Sequence, residues 1–166
     1  ALTSIPSIHL SWNPGGCQIE AGIRAASNRA LLAATDLLLL NKEEALEFSG
    51  EKTVRDALKT LSAAGAKNIC ITDGANGSVA TDGTTYFFCP ILSVDVVDST
   101  GAGDAFGSAA TWALLTGKDL PIALKAGTIN ASSVVGSIGA QGGLLTDIHI
   151  ESQLSQASLA GSAEPL

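Results

Sequence analysis

The residues with the clearest chemical potential are Asp98-Ser-Thr-Gly-Ala-Gly-Asp104. A β-branched run (Val94, Val96, Val97) precedes them, and an apolar, helix-like segment from Ala105 to Leu115 follows. A strand, a glycine turn and a helix start in that order aim several backbone N–H groups at one point, where the helix dipole adds partial positive charge. Anions collect at such a point, and the Asp104 carboxylate beside it is placed to take a proton. The stretch predicts phosphate chemistry with a built-in general base. The plain alternative is a tight turn with an acidic residue at a helix start, which acidic residues favour in any case. Gly107, Ser108, Ala109 and Ala110 keep the helix thin, which lets a ligand or another backbone approach closely.

Other segments could serve the same chemistry. Asn41-Lys-Glu-Glu44 has the spacing of a capping box, but Glu44 could equally hold Mg²⁺ through water. Thr72-Asp-Gly-Ala-Asn-Gly77 could be only a loop, or a cradle of N–H groups and a hydroxyl for phosphate oxygens. Asp98 and Thr100 could be ordinary strand-end residues. Alternatively, oxygens of this turn and of the Ser137 to Gly143 loop coordinate a cation.

These segments need elements to hold them. Ile5 to Trp12 reads as a strand ending at the turn Asn13-Pro-Gly-Gly16. Ile19 to Ala34 reads as one helix, with Ile23, Ala26, Ala30, Leu31 and Ala34 near one face. Asp36 to Asn41 is a buried strand and Glu43 to Phe48 a short helix ended by Gly50. Val54 to Ala64 is an amphipathic helix closed by Gly65, and Asn68 to Thr72 another buried strand. Ser78–Ala80 and Thr84–Phe88 flank the hairpin signal Asp82-Gly83, and Val94 to Val97 reads as a further strand. Leu120 to Val135 and Asp147 to Leu159 are helical, with Ala160 to Leu166 a frayed tail. Alternating strands and helices predict an α/β fold with a mostly parallel sheet, in which ligands gather at the carboxyl ends of the strands. The turns singled out all fall at such ends. No internal repeat or linker divides the chain, so a single domain over 1–166 is expected.

Composition narrows the class of partner. With 46% hydrophobic and 15% charged residues, the 166-residue chain is globular. A net charge of −7, with nine Lys plus Arg and no basic cluster, argues against nucleic acid and anionic membranes. The longest apolar stretch, Ala30 to Leu40, is broken by Thr35 and Asp36, so no membrane-spanning helix is expected. Cys17, Cys70 and Cys89 lack metal-type spacing, which suits core thiols in a reducing cytoplasm. His9 and His149 are expected to be structural or on the surface. No Met occurs and residue 1 is Ala, as in a chain that begins partway through a longer protein.

Taken together, the motifs resemble the ribokinase/phosphofructokinase-B family of carbohydrate kinases. Asp98 to Asp104 matches the family's Asp-Thr-x-Gly-Ala-Gly-Asp signature, with Ser99 in the second place. Asn41-x-x-Glu44 matches its Asn-x-x-Glu motif, Thr72 to Gly77 its Thr-x-Gly-x-x-Gly nucleotide loop, and Gly139-Ala140 its late Gly-Ala element. Order and spacing agree from about Trp12 to Gln153. The resemblance implies a ribokinase-like three-layer α/β/α fold and ATP-dependent phosphorylation of a sugar or sugar-like alcohol. Asp104 would be the base that meets the substrate hydroxyl, with Gly101, Ala102 and Gly103 as the anion hole. Asn41, Thr72, Asp73, Gly74, Ala75, Asn76, Gly77 and Gly103 would contact ATP. The loop containing Asn130 would border the adenine, and Thr128 stands where relatives carry another Asn. Glu44 would organise Mg²⁺. Asp98, Thr100, Val134, Ser137, Gly139 and Gly143 match positions that hold a monovalent cation such as K⁺. The family's N-terminal half, with its Gly-Gly sugar motif and β-sheet lid, has no counterpart here, since Gly15-Gly16 falls near the middle of the family fold. The missing half or a second copy of the chain would then cover exposed apolar faces. Two alternatives to a sugar kinase are a non-catalytic nucleotide-binding or interaction module and a vitamin-type kinase acting on a pyrimidine or pyridoxal alcohol. The Asn-x-x-Glu and Gly-Ala-Gly-Asp pair favours the sugar branch.

Overall fold

The computed structural model describes residues 8–156 and 161–166. Among these, six strands form one sheet in the order β1-β2-β3-β4-β5-β6. β1 (Ser11–Trp12), β2 (Leu37–Asn41) and β3 (Asn68–Thr72) are parallel, with Asn41 opposite Thr72 in the register. β4 (Ser78–Thr81) and β5 (Thr85–Cys89) are joined by only three residues. That is too short for a parallel crossover, so the hairpin makes the sheet mixed. Asp82 Oδ1 accepts from the Thr84 amide at 2.9 Å and from the Thr85 amide at 2.8 Å. These bonds close the turn as its Asp-Gly signal predicts. β6 (Ser162–Pro165) is the last strand of the sheet.

The described residues divide into two compact units, one of residues 8–73, 79–86 and 163–166, the other of 74–78, 87–156 and 161–162. In the first unit, Leu38, Leu40, Ile69 and Ile71 of the central strands pack with Ala45 and Phe48 of α3 (Lys42–Ser49) and Leu58 and Leu61 of α4 (Val54–Ala63). Runs of Leu and Ile suit strands covered on both faces. Trp12 meets Phe48 edge to face, with ring centroids 5.8 Å apart.

Periodicity predicts one long helix over Ile19 to Ala34, but there are two, α1 (Gly16–Ala21) and α2 (Ala26–Leu32). Gly22 breaks them at φ 68°, a conformation that glycine adopts freely and helices do not contain. The buried Asn28 amide seals the break by donating to the Gln18 and Gly22 carbonyls, each at 2.8 Å. The tail is not frayed at 162–166. Arg55 lies over the Tyr86 ring, bonds Glu164 Oε1 at 2.7 Å and donates to the Pro165 carbonyl, while the Leu166 amide bonds Thr84 O at 3.0 Å. Of the expected strand Ile5 to Trp12, residues 5–7 lie outside the described residues, as do residues 157–159 of the expected last helix.

In the second unit, α5 (Ala102–Leu115) packs on α6 (Leu120–Val135), and α7 (Asp147–Gln156) on α6. Gly107, Ala109 and Ala110 on the thin part of α5 are buried. Gly127 of α6 receives the Phe106 ring so closely that an added methyl would lie 2.8 Å from it. The expected strand at Val94 to Val97 is absent, and Val96 is 73% exposed. Valine spacing favours extended backbone, but a strand also needs a neighbour to bond. Among the described residues, the Val97 and Asp98 amides are both held by Val135 O.

Candidate active site

The turn at Asp98 to Asp104 is built by two devices. Gly101 caps α5 in the left-handed region, φ 81°, and a methyl there would lie 2.7 Å from both Cα and O of Ala140. Only glycine meets both demands. Asp98 then ties the turn together: its Oδ1 accepts from the Thr100 amide at 2.9 Å and its Oδ2 from the Gly139 amide at 3.0 Å. Asp104 falls in the first turn of α5 and is exposed. The Ala102 amide donates to Ser99 O at 3.2 Å and the Ala105 amide to Gly101 O at 2.9 Å. The Gly103 and Asp104 amides have no intrahelical acceptor by geometry, so a carboxylate and an anion-attracting helix end share one turn.

The Thr100 amide, the Thr100 hydroxyl and the Gly139 amide hold the Asp98 carboxyl below the usual carboxylate range. A depressed folded-state value means that the tether contributes above the unfolded value and is lost as pH falls through the folded one. Acidification through and below the ordinary Asp range of about 4 should therefore loosen the turn. Amide protection at Thr100 and Gly139, measured against the intrinsic exchange rate at each pH, should fall below that range, and Asp98→Asn should remove this pH dependence.

The loop 137–143 is wound on the end of α6. The Ser137 amide bonds Val134 O at 2.9 Å, the Ser137 hydroxyl reaches Ser133 O at 3.4 Å, and the Gly142 amide bonds Gly139 O at 3.2 Å. Gly143, φ 78°, lies so near Ser133 that a methyl would overlap its carbonyl. Thus hydrogen bonds join Asp98 to Thr100, Val135 and Gly139, and Ser137 to Val134, with Gly143 beside Ser133.

Asn130 lies within α6 and not in a loop as expected from the sequence. It is buried, its Nδ2 donates to Ala105 O at 2.8 Å, and its Oδ1 accepts from the Leu145 amide at 3.0 Å. Its amide thereby fastens α6 to the first turns of α5. Thr128 is buried too, and its hydroxyl faces Ser78 and Cys89. The Gly74–Asn76 segment is an exposed single 3₁₀ turn, ended by the buried Gly77 at φ 94°.

The first unit holds the remaining candidates. Asn41 and Glu44 form a full capping box: the Glu44 amide donates to Asn41 Oδ1 at 2.8 Å and the Asn41 amide to Glu44 Oε2 at 2.9 Å. That leaves Asn41 Nδ2 and Glu44 Oε1 for other partners. Thr72 stands opposite Asn41 at the carboxyl ends of β3 and β2, and Asp73 bonds Lys42 Nζ at 2.9 Å. Motif spacing does not single out Lys42.

The cysteines divide. Cys70 and Cys89 are buried, and burial pushes the Cys70 thiol up to about 12, whereas Cys17 is exposed on α1, contrary to expectation. His9 is exposed beside Asp36 at 3.8 Å, and His149 Nδ1 lies 3.1 Å from the Thr146 hydroxyl at the start of α7. No described helix is long and apolar enough to cross a membrane.

This mixed sheet, with its capped strand ends and glycine-turned α5, defines a ribokinase-like α/β protein. The chain belongs to the pfkB family of carbohydrate kinases, whose family model matches residues 19–147. It is 38% identical over 115 residues to the ribokinase of Bacillus subtilis, a match covering 69% of this chain and 38% of that protein. It is 32% identical over 109 residues to the cytidine kinase of Thermococcus kodakarensis, covering 64% of this chain and 39% of the relative. The crystal structure of Thermotoga maritima ribokinase superimposes with a TM-score of 0.77 at 26% identity, over 92% of this chain and 51% of that one. The chain thus spans about half the length, or less, of these relatives.

Proposed function

We propose that this chain binds ATP with Mg²⁺ and carries the phosphoryl-transfer machinery of a kinase acting on a sugar or sugar-like alcohol. The observation that carries the reading is Asp104, an exposed carboxylate on the same helical turn as the amides capped by Gly101. Phosphoryl transfer asks for positioning and charge stabilisation more than for covalent chemistry. Asp104 accepts the proton of the attacking hydroxyl, and the Gly101, Ala102 and Gly103 backbone steadies the transferring phosphoryl group. Gly74 to Gly77 cradle the nucleotide phosphates. In the first unit, Asn41, Thr72 and Asp73 are the nucleotide contacts, and Glu44 would hold Mg²⁺ through water. The residues fit such an ion, since Mg²⁺ takes oxygen ligands and keeps several waters. A bound Mg²⁺ would neutralise phosphate charge.

The 134–143 backbone offers carbonyl oxygens near a carboxylate, chemistry that suits K⁺. A K⁺ ion there would stiffen the turn that Asp98 already ties. Both named relatives phosphorylate pentose-containing compounds by name, a ribose and a cytidine, and this favours an acceptor among sugars and nucleosides. By resemblance, most sugar contacts belong to the half of the family fold that has no counterpart in these residues.

A panel assay tests this. The chain is incubated with Mg·ATP and pentoses, hexoses, sugar phosphates, nucleosides and a hydroxymethylpyrimidine, and ADP is measured. ADP release with a sugar or nucleoside is the expected result. Release with the pyrimidine alone would assign a vitamin-type kinase, and ATP binding without release would assign a non-catalytic module.

A further inference from the structure

A row of buried hydroxyls and a thiol lies at the Gly77 end of the nucleotide loop, wholly within the second unit. Thr128 Oγ1 donates to Cys89 Sγ at 3.6 Å, and Cys89 Sγ donates to Pro90 O at 3.5 Å. Ser78 Oγ lies 3.4 Å from Thr128 Oγ1. The Thr128 proton is already directed at sulfur, so Ser78 is the donor of that pair. The row runs Ser78 to Thr128 to Cys89 to Pro90. Ser78 is 3% exposed, Thr128 6% and Cys89 2%. Each therefore needs its partner inside the protein. Burial raises the Cys89 thiol, only partly offset by the Thr128 hydroxyl and the Lys125 charge, which keeps it a protonated donor.

The position of this row matters. Ser78 directly follows Gly77, and Gly77 rests so closely on the end of β5 that a methyl would lie 2.5 Å from Cys89 O. Thr128 therefore grips both the exit of the loop and the strand end beneath it. Its one proton is spent on Cys89, and it accepts from Ser78.

We propose that Thr128 is a positioning residue that pins the Gly77-Ser78 exit of the nucleotide loop through its hydroxyl and does not read the nucleotide base. The inference rests on the reading of Gly74 to Gly77 as a phosphate cradle. A pinned loop keeps its amides aligned before any ligand arrives, and that preorganisation serves every polyphosphate alike. A residue that reads the base instead discriminates among bases.

Thr128→Val keeps the shape but leaves Ser78 and Cys89 without their partner, whereas Thr128→Ser retains the hydroxyl. Two measurements are made on each: amide exchange at 74–78 without ligand, and calorimetric titration with the Mg²⁺ forms of ATP, GTP and tripolyphosphate. The Val variant should exchange faster at 74–78 and bind all three ligands more weakly by one common factor, roughly tenfold for a lost buried hydrogen bond. The Ser variant should restore both. Unchanged exchange in the Val variant would overturn the pin, and weakened ATP binding with GTP and tripolyphosphate unaffected would assign Thr128 to the base. If the wild type binds none of the three, the phosphate-cradle reading fails, while the exchange data still decide the pin. Ser78→Ala cuts the same link from the other side and should give the same pattern if the Val variant does not fold.

Discussion

Asp104→Asn is expected to reduce phosphoryl transfer by about 10²–10⁴-fold, the usual contribution of a positioned general base. Asn has nearly the shape of Asp but cannot take the proton. The helix should survive the change, because α5 is capped by Gly101 and not by the Asp104 side chain. Binding of ATP should be retained or slightly tightened, since one negative charge is removed beside an anion site. Rates of ADP release and calorimetric ATP affinity, measured on the same preparation, separate the two effects. Turnover retained in the Asn variant would remove Asp104 from the chemistry.

The second large effect is expected at Gly101, whose φ is 81°. An Ala held in the left-handed region costs about 1–2 kcal/mol for the backbone alone. The new methyl also lands 2.7 Å from backbone atoms of Ala140, which cannot swing away as a long side chain can. Either the 137–143 loop or the turn itself must shift, which strains the Asp98 bond to Gly139. Gly101→Ala should therefore lose more stability than the backbone strain alone, at roughly 2–4 °C in melting temperature per kcal/mol for a chain of this size. Gly103→Ala is the matched control. It lies in the helix, and nothing stands within 4 Å of its added methyl. Ala is the better helix former, so this variant should leave the melting temperature unchanged or raise it. Equal melting temperatures for the two variants would contradict the account of the turn.

The sequence is most legible where one local rule acts without competition. β3 and α6 fall at the residues read from periodicity, and the Asn41 capping box and the Asp82-Gly83 hairpin form as their turn chemistry requires. It misleads where a second partner decides the outcome. Val94 to Val97 has strand composition but pairs with no strand among the described residues, whereas Ser162 to Pro165 has weak composition but is captured by Arg55 and Thr84. The Gly22 break needs Asn28 to seal it, and hydrophobic periodicity does not report a polar contact of that kind.

The site divides in the same way. Gly101 and Asp98 are visible as motif residues, but the reasons for them, Ala140 and the Gly139 amide, lie about forty residues away along the chain. The resemblance assigns Thr128 and Asn130 to the nucleotide, yet their polar atoms face Ser78, Cys89, Ala105 and Leu145. A polar residue in an otherwise small and apolar helix signals either a ligand or an internal partner, and the sequence does not say which. The buried Ser78 carries no signal at all, because a serine at a strand start is ordinary.

The most direct test of the central claim is calorimetric titration of the wild-type chain with ATP, with and without Mg²⁺. Saturable binding that strengthens with Mg²⁺, and that Gly101→Ala weakens, is the predicted result. No heat of binding from a chain whose melting is cooperative would contradict it.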